Sequence, residues 1–313
     1  MSGFSAEWLS LREPFDARAR ARAAQDLRLA DWLLSIRSAA ARSRSSDGAG
    51  PPVPSPLRIV DLACGTGASL RALGPLLGEN QQWLVVDHDA ALLAHWPVAL
   101  SRAAATRNQH VEQRGDMLHL QGEGFDAQIE RRALDLAADL ECLPFDGVTL
   151  VTASALFDLV SAEWLARLVA ACRSAKAAVM FSLSVDGRLD WNPPIEFDLR
   201  ATTLFTMHQA ADKGFGPSLG PHAANAAERA FSAAGYETQS ARSDWIVDGA
   251  ADAGSLNLQQ AMIDGIADAA IEVASATGEN AGSVEQWRVA RQALASRSVL
   301  TVGHRDVIAR PRG

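Results

Sequence analysis

Ile59-Val60-Asp61-Leu62-Ala63-Cys64-Gly65-Thr66-Gly67 is the stretch that decides the fold. An apolar run of strand character carries one acid and turns on two glycines a residue apart. It then passes into a helical stretch from Ala68 to Leu77. Glycine is needed where a chain turns sharply and where a ligand must touch its backbone. Asp87 stands twenty residues past Gly67, at the end of a second apolar strand, Trp83 to Val86. In a nucleotide-binding fold a carboxylate at that place accepts hydrogen bonds from both ribose hydroxyls. A dinucleotide fingerprint would need a third glycine, and Leu70 occupies its position. Asp61 argues the same way, because it would repel a pyrophosphate and favour a cationic amino-acid moiety.

Outward from this stretch, short β-like runs alternate with helical ones. The first strand covers Leu57 to Leu62, and a helix over Ala90 to Ala105 follows the second. Val111 to Gly124 reads as an inserted turn or hairpin. Further strands are expected over Ile129 to Leu134, Val148 to Thr152 and Ala177 to Val185, with a helix over Ala162 to Ala171. Such alternation implies a parallel sheet covered on both faces. Downstream, helices are expected over Leu199 to Gln209 and Ala223 to Ala234, separated by a loop, Lys213 to Pro221. A strand over Thr238 to Val247 follows. Leu258, Met262, Ile266 and Val273 mark one helix face, and another helix starts at Ser283, where Gln286 completes a capping box. Val299 to Ile308 is the final strand. Upstream, a helix over Ala17 to Ala41 precedes a Ser-, Gly- and Pro-rich linker, Arg42 to Pro56.

Val60 to Gly67 resembles the first motif of the class I S-adenosylmethionine-dependent methyltransferases, Asp87 their second, and Asp135-Leu136 their third. Leu143-Pro144-Phe145-Asp146 with Val148 to Ser154 is similar to their fourth-strand segment. The resemblance covers Leu57 to Val185 well and the rest in outline. It implies a Rossmann-like α/β fold: a seven-stranded sheet, last strand antiparallel, helices on both faces, and a helical insertion between the last two strands. It implies S-adenosylmethionine as cofactor, held by Asp61, the loop Ala63, Cys64, Gly65 and Gly67, Asp87 with His88, Asp135 with Leu136, and Ser154. Residues 57–313 would form the methyltransferase domain and 1–56 a helical segment with its linker. Segments 197–235 and 250–297 would shape an acceptor-site lid. Two departures stand out. The long gap between Asp87 and Asp135 leaves Asp116 as a fallback for the adenine contact. After the fourth strand, Ser154-Ala155-Leu156-Phe157-Asp158 stands where many small-molecule members carry histidines.

Methyl transfer from a sulfonium needs positioning above all, and a base only where the acceptor's proton is hard to remove. His208 and His222, flanking Lys213-Gly214-Phe215-Gly216, are candidate bases, with that loop as a candidate lid and ordinary surface placement as the alternative. Asp158 is the third acceptor-side candidate. Trp8 to Asp16 is too mixed for a plain amphipathic helix. It is expected either to fold over the cofactor, Arg12 meeting its carboxylate, or to dock as a helix with solvated charges. Asn192-Pro193-Pro194-Ile195 reads as a turn, and Cys64 as a small buried residue, not a nucleophile.

The formal net charge of −8 disfavours a nucleic-acid partner, and Arg18, Arg20 and Arg22 read as a solvated face. Three cysteines without CxxC spacing fit a reducing cytoplasm, and no apolar run is long enough to span a bilayer. The expected function is methyl transfer to an O or N atom of a small molecule in the cytoplasm, with no membrane partner. The alternatives are a protein or RNA acceptor, a nucleotide-binding dehydrogenase, and a non-catalytic binding module.

Overall fold

In the computed structural model, which describes residues 5–44 and 56–312, the glycine stretch joins a parallel strand to a helix. The chain starts with α1 (Ala6–Asp26) and α2 (Leu29–Arg44). It continues through β1 (Leu57–Leu62), α3 (Ala68–Leu77), β2 (Gln81–Asp87) and α4 (Ala90–Ala105). A hairpin, β3 (His110–Arg114) and β4 (Met117–Gly122), precedes β5 (Phe125–Ala133), the short α5 (Leu136–Asp139) and β6 (Leu150–Ser154). Then come α6 (Ala162–Ala175), β7 (Ala178–Asn192), α7 (Asp198–Gln209) and α8 (Ala223–Ala233). The last elements are β8 (Tyr236–Arg242), β9 (Trp245–Asp248), α9 (Ala253–Thr277), α10 (Ala281–Leu294) and β10 (Val299–Pro311).

The sheet runs β3-β4-β5-β2-β1-β6-β7-β10-β8, with β9 paired to β10. Without the hairpin and β9, seven strands remain, parallel except for β10, which runs antiparallel to both β7 and β8. This is the sheet that the resemblance implies. The added hairpin is antiparallel to β5 at the edge, and it accounts for the long gap between Asp87 and Asp135. Between β9 and β10 lie α9 and α10, the helical insertion. Among the described residues no helix is long and apolar enough to cross a membrane.

Several boundaries differ from the sequence expectation, each for a physical reason. The single helix over Ala17 to Ala41 is two, broken at Leu27-Arg28, where Arg28 has φ 48°. The first begins at Ala6, its Ser5 side chain accepting from the Trp8 N–H. Arg12, Asp16 and Arg20 are buried along it, so the usual polar-outward signature is missing. Linker residues 45–55 lie outside the described residues. Beyond Val185, β7 continues through alternating polar and apolar residues to pair with the first half of β10. The strand expected over Thr238 to Val247 splits at Ser243-Asp244. Asn280, not Ser283, caps α10, accepting from the Gly282 N–H at 2.9 Å.

Two apolar layers cover the sheet: one under α2, α3 and α4, the other under α6 and α8. A third core joins α1, α7, α9 and α10 to the extended ends of β7 and β10. That cap is pinned by Arg291, which is buried to 0 % exposure. Its guanidinium donates to Asp198 and to the Pro193 carbonyl and lies 4.6 Å from the Trp191 ring centroid. Removing one partner of a buried ion pair strands the other in a low-dielectric interior. Asp198→Ala should therefore cost about 3–5 kcal/mol of stability, read from the urea-unfolding midpoint at constant slope.

Candidate active site

In a parallel sheet, ligands bind outside the carboxyl ends of the strands where strand order reverses. Here that point lies between β1 and β6. Three non-glycine residues adopt left-handed φ on neighbouring strands at this end: Ala63 (49°), Ala155 (52°) and Leu183 (59°). Each such residue costs about 1–2 kcal/mol, and strain of this kind concentrates at functional sites.

Gly65 and Gly67 are left-handed too, at 52° and 91°. A Cβ at Gly67 would meet the Trp96 ring at 3.0 Å, and the Trp96 indole N–H donates to the Gly65 carbonyl at 2.7 Å. The loop is tied to β2 by the Gly65 N–H, which donates to Asp87 Oδ2 at 2.8 Å. Asp87 Oδ1 accepts from the Asp89 N–H at 3.0 Å. A carboxylate has about four acceptor positions, so Asp87 keeps capacity for a diol. His88 is exposed, its Nδ1 3.3 Å from Asp87 Oδ1. Beneath the loop, Asp61 is fully buried. Oδ1 accepts from the Thr152 hydroxyl at 2.7 Å, whereas Oδ2 has no partner. Burial pushes its pKa up to about 7, opposed by the Thr152 hydrogen bond, the neighbouring Ser69 hydroxyl and the Arg20 charge. Cys64 is buried, and burial pushes its thiol well above the ordinary range, which makes it inert.

Asp135 is exposed and caps α5, accepting from the Ala137 N–H at 2.9 Å. The Leu136 side chain is buried, and its carbonyl accepts from the Trp164 indole at 2.6 Å. The fallback, Asp116, is likewise exposed, in the turn between β3 and β4.

α1 lies across the crevice. Leu9 reaches the Gly65 position, Glu13 pairs with Arg71 at 2.6 Å, and the Arg20 guanidinium donates to the Ser154 hydroxyl at 2.7 Å. Arg20 is buried, not part of a solvated face. Arg12 pairs with Asp16 at 3.0 Å and lies 5.0 Å from the Trp245 ring centroid. That commits it to the wall of a neighbouring cavity instead of the glycine loop.

This cavity, about 150 Å³, opens beside Ala155 at the end of β6, with Trp8, Phe205, Trp245 and Met262 among its apolar walls. Asp158 lines it with Oδ1 unpartnered, and burial pushes this carboxyl up to about 6, against a backbone hydrogen bond and the Arg12 charge. The Trp8 indole N–H is also buried without a partner. His208 and His222 are elsewhere: His208 Nε2 faces Glu272 at 3.3 Å, and His222 is exposed at the start of α8. The candidate lid is docked instead, with Phe215 packed edge-on against Trp164 at 5.5 Å. A histidine not anticipated from the sequence, His304 on β10, lines the cavity in their place. It sits in a strand-like run, Val302-Gly303-His304-Arg305, where the register shift beside Gly303 breaks strand alternation, so the sequence pattern carried no signal for it. A larger cavity, about 320 Å³, lies at the amino ends of β1, β2 and β5 around Arg58 and Gln82, away from the glycine loop.

Strand order, the antiparallel last strand and a glycine loop at the switch point together define the class I methyltransferase fold. By sequence, neither a family model nor a curated protein matches the chain. Solved structures of similar chain course include a cyclopropane-fatty-acyl-phospholipid synthase-like protein from Lactobacillus casei, at 12% identity over 98% of this chain and 94% of that one, TM-score 0.48. A methyltransferase from Geobacter sulfurreducens in complex with S-adenosyl-L-homocysteine is similar at 14% identity over 90% of each chain, TM-score 0.38. A cyclopropane synthase from Mycobacterium tuberculosis is similar at 10% identity over 82% and 79%, TM-score 0.39. At these identities and scores the likeness concerns chain course alone, and the chemistry must come from this chain's residues.

Burial lowers the His304 pKa to about 4, with Arg12 adding to the effect. The imidazole should therefore stay neutral throughout pH 5–8, with Nδ1 protonated. Nitrogen-15 NMR of the labelled protein should show no His304 titration above about pH 5, whereas a midpoint near 6.5 would contradict the burial argument.

Proposed function

We propose that this protein binds S-adenosylmethionine in the crevice over β1 and β2 and catalyses transfer of its methyl group to an O or N atom of a small molecule in the cavity beside β6. The observation that carries the reading is the buried, unpartnered oxygen of Asp61 beneath the glycine loop. A fully buried carboxylate with an open lone pair is costly unless a cation meets it, and the ammonium of an amino-acid moiety is such a cation. A pyrophosphate there would face repulsion, which disfavours the dehydrogenase reading. The cavity favours a small acceptor over a protein or RNA one, because about 150 Å³ behind α1 offers no groove for a polymer.

In this reading Asp87 accepts from the ribose hydroxyls, Gly65 and Gly67 let the backbone approach, and Asp135-Leu136 meet the adenine edge. The cofactor supplies a methyl group on a sulfonium, a good leaving group. The protein's share is to hold the acceptor in line and keep water out, worth up to roughly 7–11 kcal/mol in model systems. Asp158 and the Trp8 indole N–H offer an acceptor and a donor to orient the bound molecule. α1 must lift for ligands to exchange, because Leu9 and the Glu13–Arg71 pair close over the loop.

Calorimetric titration with S-adenosylhomocysteine tests this, since the product keeps both the ribose and the ammonium. Binding should be micromolar in the wild type and at least tenfold weaker in Asp87→Ala, about the loss of one charge-assisted bond. The linked proton has a definite sign. An ammonium beside Asp61 favours the carboxylate and lowers its pKa, so a proton leaves on binding. With a starting value of about 7, roughly half a proton should be released at pH 7, read from the buffer dependence of the heat. Asp61→Asn should abolish that release. A wild type that ignores S-adenosylhomocysteine but binds a nicotinamide dinucleotide would overturn the proposal.

A further inference from the structure

We propose that the methyl acceptor is a neutral, single-ring aromatic hydroxyl compound, and that His304 Nε2 takes its proton during transfer. The inference rests on the methyl-transfer reading above and adds the acceptor class and the base.

The imidazole's hydrogen-bond state is fixed by its surroundings. Nδ1 lies 3.1 Å from the Val302 carbonyl, which can only accept, so Nδ1 carries the hydrogen and the Nε2 lone pair is left. The ring packs 4.9 Å from Trp245 and lines the cavity. The backbone is built to aim it there. The β10–β7 register shifts between Val302 and His304, and a Cβ at the intervening Gly303 would fall 2.0 Å from Asp186 Oδ1. Bulges of this kind re-aim side chains beside active sites.

Charge around the cavity selects a neutral guest. Arg12 from α1 is paired with Asp16. Arg188 from β7 is paired with Asp186 and Asp244. Asp244 also accepts from the His304 backbone N–H at 3.1 Å. Each cation facing His304 is thus already compensated, and an anionic acceptor finds no free partner. Asp158, facing from the end of β6, adds no positive charge. The walls are aromatic, and a cavity of roughly 150 Å³ is the size that accommodates a benzene-like molecule.

A hydroxyl oxygen needs help that a neutral amine does not, because its proton must leave as the new bond forms. The oxygen lone pair forms the bond to the methyl carbon, and the carbon–sulfur bond breaks with its electrons going to sulfur. The O–H pair stays on oxygen, and the proton passes to Nε2 and then to water on release. A weak base suffices, since the oxygen becomes strongly acidic as it gains a carbon.

The full-length protein is assayed with S-adenosylmethionine carrying a radiolabelled methyl group, against phenol, 4-methoxyphenol, 4-nitrophenol, aniline and benzylamine at pH 8. The wild type should methylate the phenols. In His304→Gln, turnover of phenol should fall roughly 100-fold or more. That of 4-nitrophenol, whose neutral form binds but gives up its proton far more readily than phenol, should fall only a few-fold, and S-adenosylhomocysteine affinity should stay within twofold. Equal losses across the phenols, or none, would overturn the role of His304. A second measurement needs no variant. At saturating S-adenosylmethionine, the wild-type rate with phenol should fall less than about tenfold from pH 8 to pH 5, whereas dependence on solution phenolate would cost about a thousandfold and overturn the proposal. Binding of S-adenosylhomocysteine with methylation of amines alone, or of none of these compounds, would overturn this inference and leave the cofactor reading standing. Failure to bind it would overturn both.

Discussion

A buried guanidinium on α1 stands between carboxylates that the sheet cannot satisfy alone. Arg20 donates to Ser154 at the end of β6, and its field lowers both Asp61 under the glycine loop and Asp306 on β10. Each acid has one oxygen without a partner, and burial drives both pKa values up. Two acids and one cation leave the crevice short of positive charge. In a low-dielectric interior that imbalance is expensive, and proton uptake relieves it while no second cation is present. The docking of α1 and the charge of whatever enters the crevice are thereby coupled.

Asp306 carries the same constraint into the cap. Its Oδ1 accepts from the Leu183 N–H at 2.8 Å, where β7 passes through a left-handed residue. Beyond that point β7 does not end but runs on to Asn192, paired with the first half of β10. The two strands project past the sheet, and α7, α9 and α10 pack on the projection with Trp191, Trp245 and Trp287 in the core. The cavity is the seam between this cap, α1 and the ends of β6 and β7. One buried acid thus links cofactor crevice, strand extension and acceptor wall.

The parts of the site legible in the sequence are those whose signal is local. A strand, an acid and a Gly-x-Gly turn are contiguous, and Asp87 closes the next strand, so both could be placed without knowing the fold. Arg20 could not: a basic residue among other arginines reads as solvated, and only α1 lying across the sheet turns it into a buried counter-charge. His304 was hidden for a related reason. Its neighbourhood reads as an ordinary final strand, and the bulge that aims it comes from contact with Asp186, far away in sequence. His208 and His222 drew notice because they flank glycines, yet that loop is packed against Trp164. The Asp87-to-Asp135 gap became intelligible only when the hairpin was seen to extend the sheet edge without disturbing its centre.

The charge balance of the cavity also bears on rate. Transfer of a methyl group from a sulfonium to a neutral oxygen starts from one concentrated positive charge and spreads it over two centres. Water stabilises the concentrated charge better than the spread one, so a site that excludes water favours the transition state over the ground state. An anionic acceptor is instead opposed at binding, because removing its hydration shell costs more than compensated arginines return. Paired arginines, an unprotonated imidazole and apolar walls therefore belong together. They keep the cavity dry enough to favour charge dispersal, with one lone pair placed where the departing proton needs it.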